Sequence, residues 1–155
     1  MIIDLSNCVC HGDGCGARLY RFEDKIIKVP KFAYAGHLTD EFKIQKQLFD
    51  EGIRVAKPYD LVEVLNNFPD FELKQNRGIL MEFIDGPTLY DLNEELRDFA
   101  CRIYEDELSK CAGLGFKTID TGSHNAIYHP ENGVYLIDFE LWSRKWHITL
   151  TWKYI

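Results

Sequence analysis

No apolar run in the chain approaches the roughly 20 residues needed to span a bilayer, so no transmembrane helix and no membrane partner are expected. The opening residues, Met1-Ile-Ile-Asp4, lack the basic-then-apolar layout of a secretory signal. Positive charge is also short: 18 Lys and Arg stand against 25 Asp and Glu, a formal net charge of −7. That balance argues against a nonspecific nucleic-acid binder, whose affinity rests on clustered Lys and Arg meeting phosphates, although a local site for a nucleotide remains open. Repeats, low-complexity tracts and Pro/Gly/Ser-rich linkers are missing, so residues 1–155 are expected to form a single domain. Cysteine is too sparse and too odd in number, at five, for a disulfide framework. Free thiols in a reducing compartment follow, and with them a cytoplasmic location in the producing cell or a host. Cys8, Cys10, His11 and Cys15 do crowd together, but Cys-x-Cys-His-x3-Cys is not a usual structural zinc spacing.

What is present is an ordinary globular composition, 46% hydrophobic and 28% charged. The first third reads as strands: 17–22 and 25–29 are β-prone runs around a tight turn at Glu23-Asp24, and Pro30 closes the second. Thr39 is an N-cap candidate for a helix carrying Asp40 and Glu41 in its first turn and stopping at Gly52. Glu41 shares a helical face with Ile44 and Leu48, and a carboxylate on the core side needs a partner. Further strands are expected at 59–64 and 78–84, joined by a polar loop at Asn66-Asn67. Asp91 is a candidate cap for a long helix with Leu92, Leu96, Phe99, Ile103 and Cys111 at helical spacing, ended by Gly113 and Gly115. A small hairpin follows, 126–128 with 134–137, around His129-Pro-Glu-Asn-Gly133. The order predicts an α+β fold.

Several residues in this frame could carry chemistry. Gly12, Gly14 and Gly16 form a turn in which backbone N–H groups can approach phosphates, or simply a glycine-rich turn. Lys28, in the strand before Pro30, is either a solvated lysine or the partner of Glu41. Asp120 and Asn125 stand in an Asp-x4-Asn pattern, and Asp138 ends the apolar strand that pairs with the one Asn125 begins. Asp and Asn are hard oxygen ligands suited to Mg2+, while each taken alone could be a turn-capping residue.

The ordered set of glycine turn, strand Lys, helical Glu, Met81-Glu-Phe-Ile-Asp-Gly86, Asp-x4-Asn and Ile137-Asp-Phe139 resembles the protein-kinase-like superfamily. The likeness is to its compact branches: RIO-type and effector mini-kinases, aminoglycoside phosphotransferases and choline kinases. It implies a minimal bilobal fold, with an N-lobe of antiparallel sheet plus one helix over 1–85 and a reduced, mostly helical C-lobe over 86–155. The resemblance further implies an ATP- and Mg2+-dependent phosphotransferase, with Lys28 on the α- and β-phosphates and Glu41 positioning it. Gly12, Gly14 and Gly16 would approach the phosphates, and Met81, Glu82, Phe83 and Ile84 would meet adenine through the backbone. Asp120 would be the catalytic base, and Asn125 and Asp138 the metal ligands.

The family usually has His where Thr118 stands. Asp138-Phe-Glu140 is closer to the choline-kinase and aminoglycoside-phosphotransferase branch, which keeps a small-molecule acceptor open beside a protein Ser or Thr. After Asp138 there is no activation segment with Ala-Pro-Glu and no helical platform for a peptide, so a nucleotide-binding interaction module is the third alternative. Trp142, Trp146, Trp152 and Tyr154 crowd the tail, where they either seal the second lobe or form an interface for a partner or a second copy.

Overall fold

Alternation of buried and exposed side chains builds the first part of the chain. Strand β1 (Ile2–Asp4) is followed by β2 (Val9–Asp13), β3 (Ala17–Phe22), β4 (Lys25–Pro30), helix α1 (His37–Asp50), β5 (Pro58–Leu65) and β6 (Arg77–Glu82). The computed structural model describes residues 1–13, 16–31, 37–66 and 76–144. The strands form one curled sheet in the order β1-β5-β6-β4-β3-β2, antiparallel except where β1 runs parallel beside β5. Glu23, at φ 57, turns the β3–β4 hairpin, and the register runs from Phe22 opposite Lys25 to Ala17 opposite Pro30. Ile3, Leu5, Tyr20, Ile27, Val29, Val62, Val64 and Leu80 close into a buried cluster inside the curl. Lys28, between Ile27 and Val29, therefore points to the opposite face of the sheet.

Helix α1 starts at His37, two residues before Thr39, which lies inside the first turn and is not the cap. Nothing in His37 or Leu38 bars helical backbone angles, so Thr39's preference for a cap position was overridden. The other end follows the glycine rule. Gly52, at φ 82, donates to Phe49 O and Ile53 donates to Leu48 O, the paired bonds of a Schellman stop.

The second part contains α2 (Glu94–Gly113), β7 (Phe116–Lys117), β8 (Ala126–His129), β9 (Gly133–Leu136) and β10 (Ser143–Arg144). Asn93, not Asp91, caps α2: its side chain accepts from Leu96 N at 2.9 Å, and Glu94 and Glu95 occupy the first turn. Asp91 ends a short 3-10 turn instead, accepting from Thr88 Oγ1 at 3.0 Å. Phe99 is also displaced from its expected role. The buried side of α2 is Ala100, Tyr104 and Cys111, and one residue's rotation of about 100° leaves Phe99 52% exposed. β7 pairs with β10 and β8 with β9, each antiparallel.

Two compact units result: Met1–Lys46 with Ala56–Phe83, and Gln47–Val55 with Ile84–Ile155. The architecture is α+β. Among the described residues, no helix is long and apolar enough to cross a membrane.

Candidate active site

In the first unit the sheet and helix bring Lys28 and Glu41 together. Lys28 lies in β4 between β3 and β6, opposite Leu19 and Ile79. Glu41 lies one turn from Ile44 on the buried side of α1. The Lys28 ammonium donates to Glu41 Oε1 as an ion pair, with the two side chains only 12% and 5% exposed. A charge pair this far from water is held by its partners, because either ion alone would carry a desolvation penalty of several kcal/mol. One turn further along α1, the buried Gln45 donates to Ala56 O at 2.8 Å and contacts Met81 Sδ at 3.5 Å.

The segment 81–84 has fewer open donors than its sequence offers. β6 ends at Glu82, short of the expected Ile84. Glu82 N donates to Lys57 O at 2.9 Å and Phe83 N to Asp24 O at 3.2 Å, so neither amide is left for a ligand. Phe83 itself carries the Arg21 guanidinium 4.2 Å from its ring centroid and the His11 ring edge-on at 5.1 Å.

Of the glycine turn, Gly12 lies in β2 beside a bulge between Cys10 and Gly12, and Gly16 O accepts from Lys31 N at 2.9 Å. Gly14 and Cys15 lie outside the described residues. Cys8 is half-buried and Cys10 exposed, both as free thiols. Among the described residues no group of three or more His, Cys, Asp or Glu stands together as metal ligands.

In the second unit the backbone gathers Asp120, Asn125 and Asp138. Gly115, at φ 90, turns the chain out of α2 into β7. Trp142 Nε1 donates to Ile119 O at 3.0 Å and anchors the residue before Asp120. Asn125 Nδ2 donates to Asp120 O at 2.6 Å. Asn125 O in turn accepts from Ile137 N at 3.1 Å, one step beyond the β8–β9 register that sets Ala126 opposite Leu136. Asn125 therefore ties into the backbone next to both aspartates. Asp138 leads into the fully buried Phe139, whose ring meets Trp142 edge-on at 5.0 Å.

Both aspartates are left-handed, Asp120 at φ 57 and Asp138 at φ 65. Among the described residues only Glu23 and Asn66 share this among non-glycines, and each directly follows a β-strand. Asp138 comes two residues after β9 and Asp120 three residues after β7. Asp adopts this backbone more readily than most residues, and among non-glycines such positions cluster at turns and at functional sites.

The donor set fits a hard divalent cation. With its amide nitrogen committed to Asp120 O, Asn125 keeps its Oδ1 as a neutral oxygen donor, and its own carbonyl meets Ile137 N, the residue before Asp138. Asp120 is exposed. Three residues near this loop escaped sequence reasoning. Tyr104, on the buried side of α2, has its hydroxyl pushed up to about 12, by burial first and then by the Asp120 charge. Tyr90 and His124 pair their rings at 5.1 Å beside the Asp120 loop. Helical spacing with Ala100 and Cys111 could have marked Tyr104, whereas the Tyr90–His124 contact carries no spacing signal because it depends on which turns pack together.

Trp142 is buried. Trp146, Trp152 and Tyr154 lie outside the described residues. No protein-family model matches the chain, and no curated protein matches it.

Proposed function

We propose that the chain is an ATP- and Mg2+-dependent phosphotransferase, of minimal protein-kinase-like bilobal fold, that acts in the cytoplasm on Ser or Thr hydroxyls of proteins. The observation that carries this reading is the left-handed backbone of Asp120 and Asp138, with Asn125 tied to the main chain beside both. The buried Lys28–Glu41 pair supports it independently, since it holds an ammonium at a fixed place on one face of the sheet.

Lys28 binds phosphate oxygens of the donor, and Glu41 keeps its Nζ in position. Asn125 Oδ1 and the Asp138 carboxylate are the residues that would hold Mg2+. Bound there, the ion supplies neutralisation of the charge on the terminal phosphate oxygens. Asp120 orients the acceptor hydroxyl and receives its proton on the carboxylate. For adenine, the committed amides of Glu82 and Phe83 leave the Ile84 amide as the donor of the segment.

A small hydroxyl compound is the second reading for the acceptor, favoured by Asp138-Phe139-Glu140. ADP release with metabolites, without labelling of protein, would select it.

Thermal melting with ATP, with Mg2+ and with both tests the donor side. Binding at a hundredfold excess over Kd stabilises the folded chain by about 2.7 kcal/mol. The expected result is a rise with ATP that grows with Mg2+ in the wild type and loses its Mg2+-dependent part in Asp138→Ala. A melting temperature indifferent to both ligands overturns the reading.

A further inference from the structure

Trp142 is 7% exposed, and the N–H of a buried indole needs an acceptor. It finds one 23 residues back in the chain, donating from Nε1 to Ile119 O at 3.0 Å. That carbonyl belongs to the peptide unit immediately before Asp120. On the other side of the same residue, Asp120 O accepts from Asn125 Nδ2 at 2.6 Å. Both peptide planes that flank Asp120 are therefore held by side-chain donors. Each plane is rigid and the two meet at the Asp120 Cα, so their orientations set φ and ψ there. Asp tolerates the left-handed φ of 57 found at this position, but the β and right-handed regions still lie lower in energy. The two bonds thus decide where the Asp120 carboxylate stands.

The main chain of Trp142 makes a second, separate connection. Its N–H donates to Phe139 O at 3.1 Å, closing the turn that follows Asp138. The rings of Phe139 and Trp142, both buried, meet edge-on at 5.0 Å. The backbone bond on the Asp138 side is indifferent to which non-proline side chain stands at 142. The bond on the Asp120 side is not: it needs a donor at the far edge of a long ring. Phenylalanine would fill much of the same apolar space and offer no donor.

We infer that Trp142 is a positioning residue for Asp120, its indole N–H fixing the Ile119–Asp120 peptide and so aiming the carboxylate. The use of that aim in catalysis rests on the phosphotransferase reading, whereas the hold on the backbone does not. Asn125 keeps its own carbonyl bond to Ile137 N whether or not the indole donates. Because Asp120 serves the acceptor hydroxyl and not the nucleotide, losing the indole bond lowers turnover and leaves Mg2+-dependent ATP binding in place.

The test removes the N–H and keeps the ring. In the full chain, position 142 alone receives benzothienylalanine, which carries sulfur where indole carries N–H, and a second protein carries Trp142→Phe. For each, ADP formation from ATP and Mg2+ is followed with casein or water as acceptor, and ATP affinity by calorimetry. The three-bond coupling between the amide and α protons of Asp120, read by NMR, reports its φ. Both variants are expected to form ADP about tenfold more slowly, the loss of one hydrogen bond. The Kd for ATP with Mg2+ should stay as in the wild type, and the Asp120 coupling should leave its left-handed value. The benzothienylalanine protein should melt with the wild type, which separates the lost bond from lost packing should Trp142→Phe fold poorly. Wild-type turnover in that protein overturns the inference, and so does an unchanged Asp120 coupling. A fall in ATP affinity that matches the fall in turnover also overturns it, as the behaviour of a residue that only holds its unit together. If the wild type itself forms no ADP, the phosphotransferase reading falls, and the coupling alone decides whether Trp142 holds Asp120.

Discussion

Replacing Lys28 and Glu41 singly and together separates a pair kept for chemistry from one kept for stability. Both side chains are buried, at 12% and 5% exposure, and each neutralises the other. Glu41→Leu leaves an ammonium in a place that water reaches poorly, and Lys28→Met leaves a carboxylate there. Breaking one partner of such a pair costs about 3–5 kcal/mol, whereas removing both for apolar residues of similar volume is often neutral or stabilising. For a chain of this size, 3–5 kcal/mol lowers the melting temperature by about 6–20 °C. Each single variant should show that loss, and the double variant should recover most of it, a large coupling in the double-mutant cycle. ATP binding, followed by calorimetry, should be lost in all three, including the stable double variant. A double variant as unstable as the sum of the singles would refute the energetic reasoning. A double variant that still binds ATP as the wild type does would refute the role of Lys28.

Three further outcomes follow from particular residues. Asp138→Ala should lower stability by about 1 kcal/mol by placing a Cβ residue without Asp's tolerance at φ 65, and Asp138→Gly should restore it without restoring Mg2+-dependent ATP binding. Denaturant midpoints check the first part, and an Ala variant as stable as Gly would contradict it. Gly78→Ala in β6 would bring a Cβ to 2.9 Å from both Ile27 Cγ2 and Lys28 O, so a loss of about 1–3 kcal/mol is expected in the same assay. The third concerns alkaline pH. Tyr104, buried, titrates near 12 when folded but near its ordinary 10 when unfolded, so the unfolded chain loses the proton first. Its contribution is complete below pH 10 and declines as pH rises toward 12, by on the order of 2 kcal/mol in all. Cys111, pushed from 9 to about 12 mainly by burial, adds to the decline from pH 9 upward. Urea midpoints measured across that range should fall less steeply in Tyr104→Phe, and an unchanged slope would contradict the assignment.

The strands and their turns were legible because the signals are local. The β3–β4 hairpin follows from two β-prone runs around Glu23-Asp24, and the ends of α1 and α2 follow from Gly52 and Gly113. Helix starts were less legible because polar residues compete for the cap. Asp91 and Asn93 are both suitable, and the choice of Asn93 depends on Asp91 being drawn to the Thr88 hydroxyl in the preceding turn. β1 was missed because three residues give no periodicity, and its pairing with β5 is long-range. In the candidate site, the inward carboxylate of Glu41 could be read from helical spacing, and the Lys28 bond answers it. The left-handed backbone of Asp120 and Asp138 could not, since Asp tolerates that conformation without announcing it. The commitment of the Glu82 and Phe83 amides was equally hidden, because it depends on Lys57 and Asp24 arriving from other strands.

Transfer of radiolabel from the γ-phosphate of ATP to protein substrate, with Mg2+, comparing wild type with Asp138→Ala, tests the central claim most directly. Labelling in the wild type that falls to background in Asp138→Ala, with the variant still folded, is the predicted result. Equal labelling by both proteins would contradict the assignment of Asp138 and the phosphotransferase built on it.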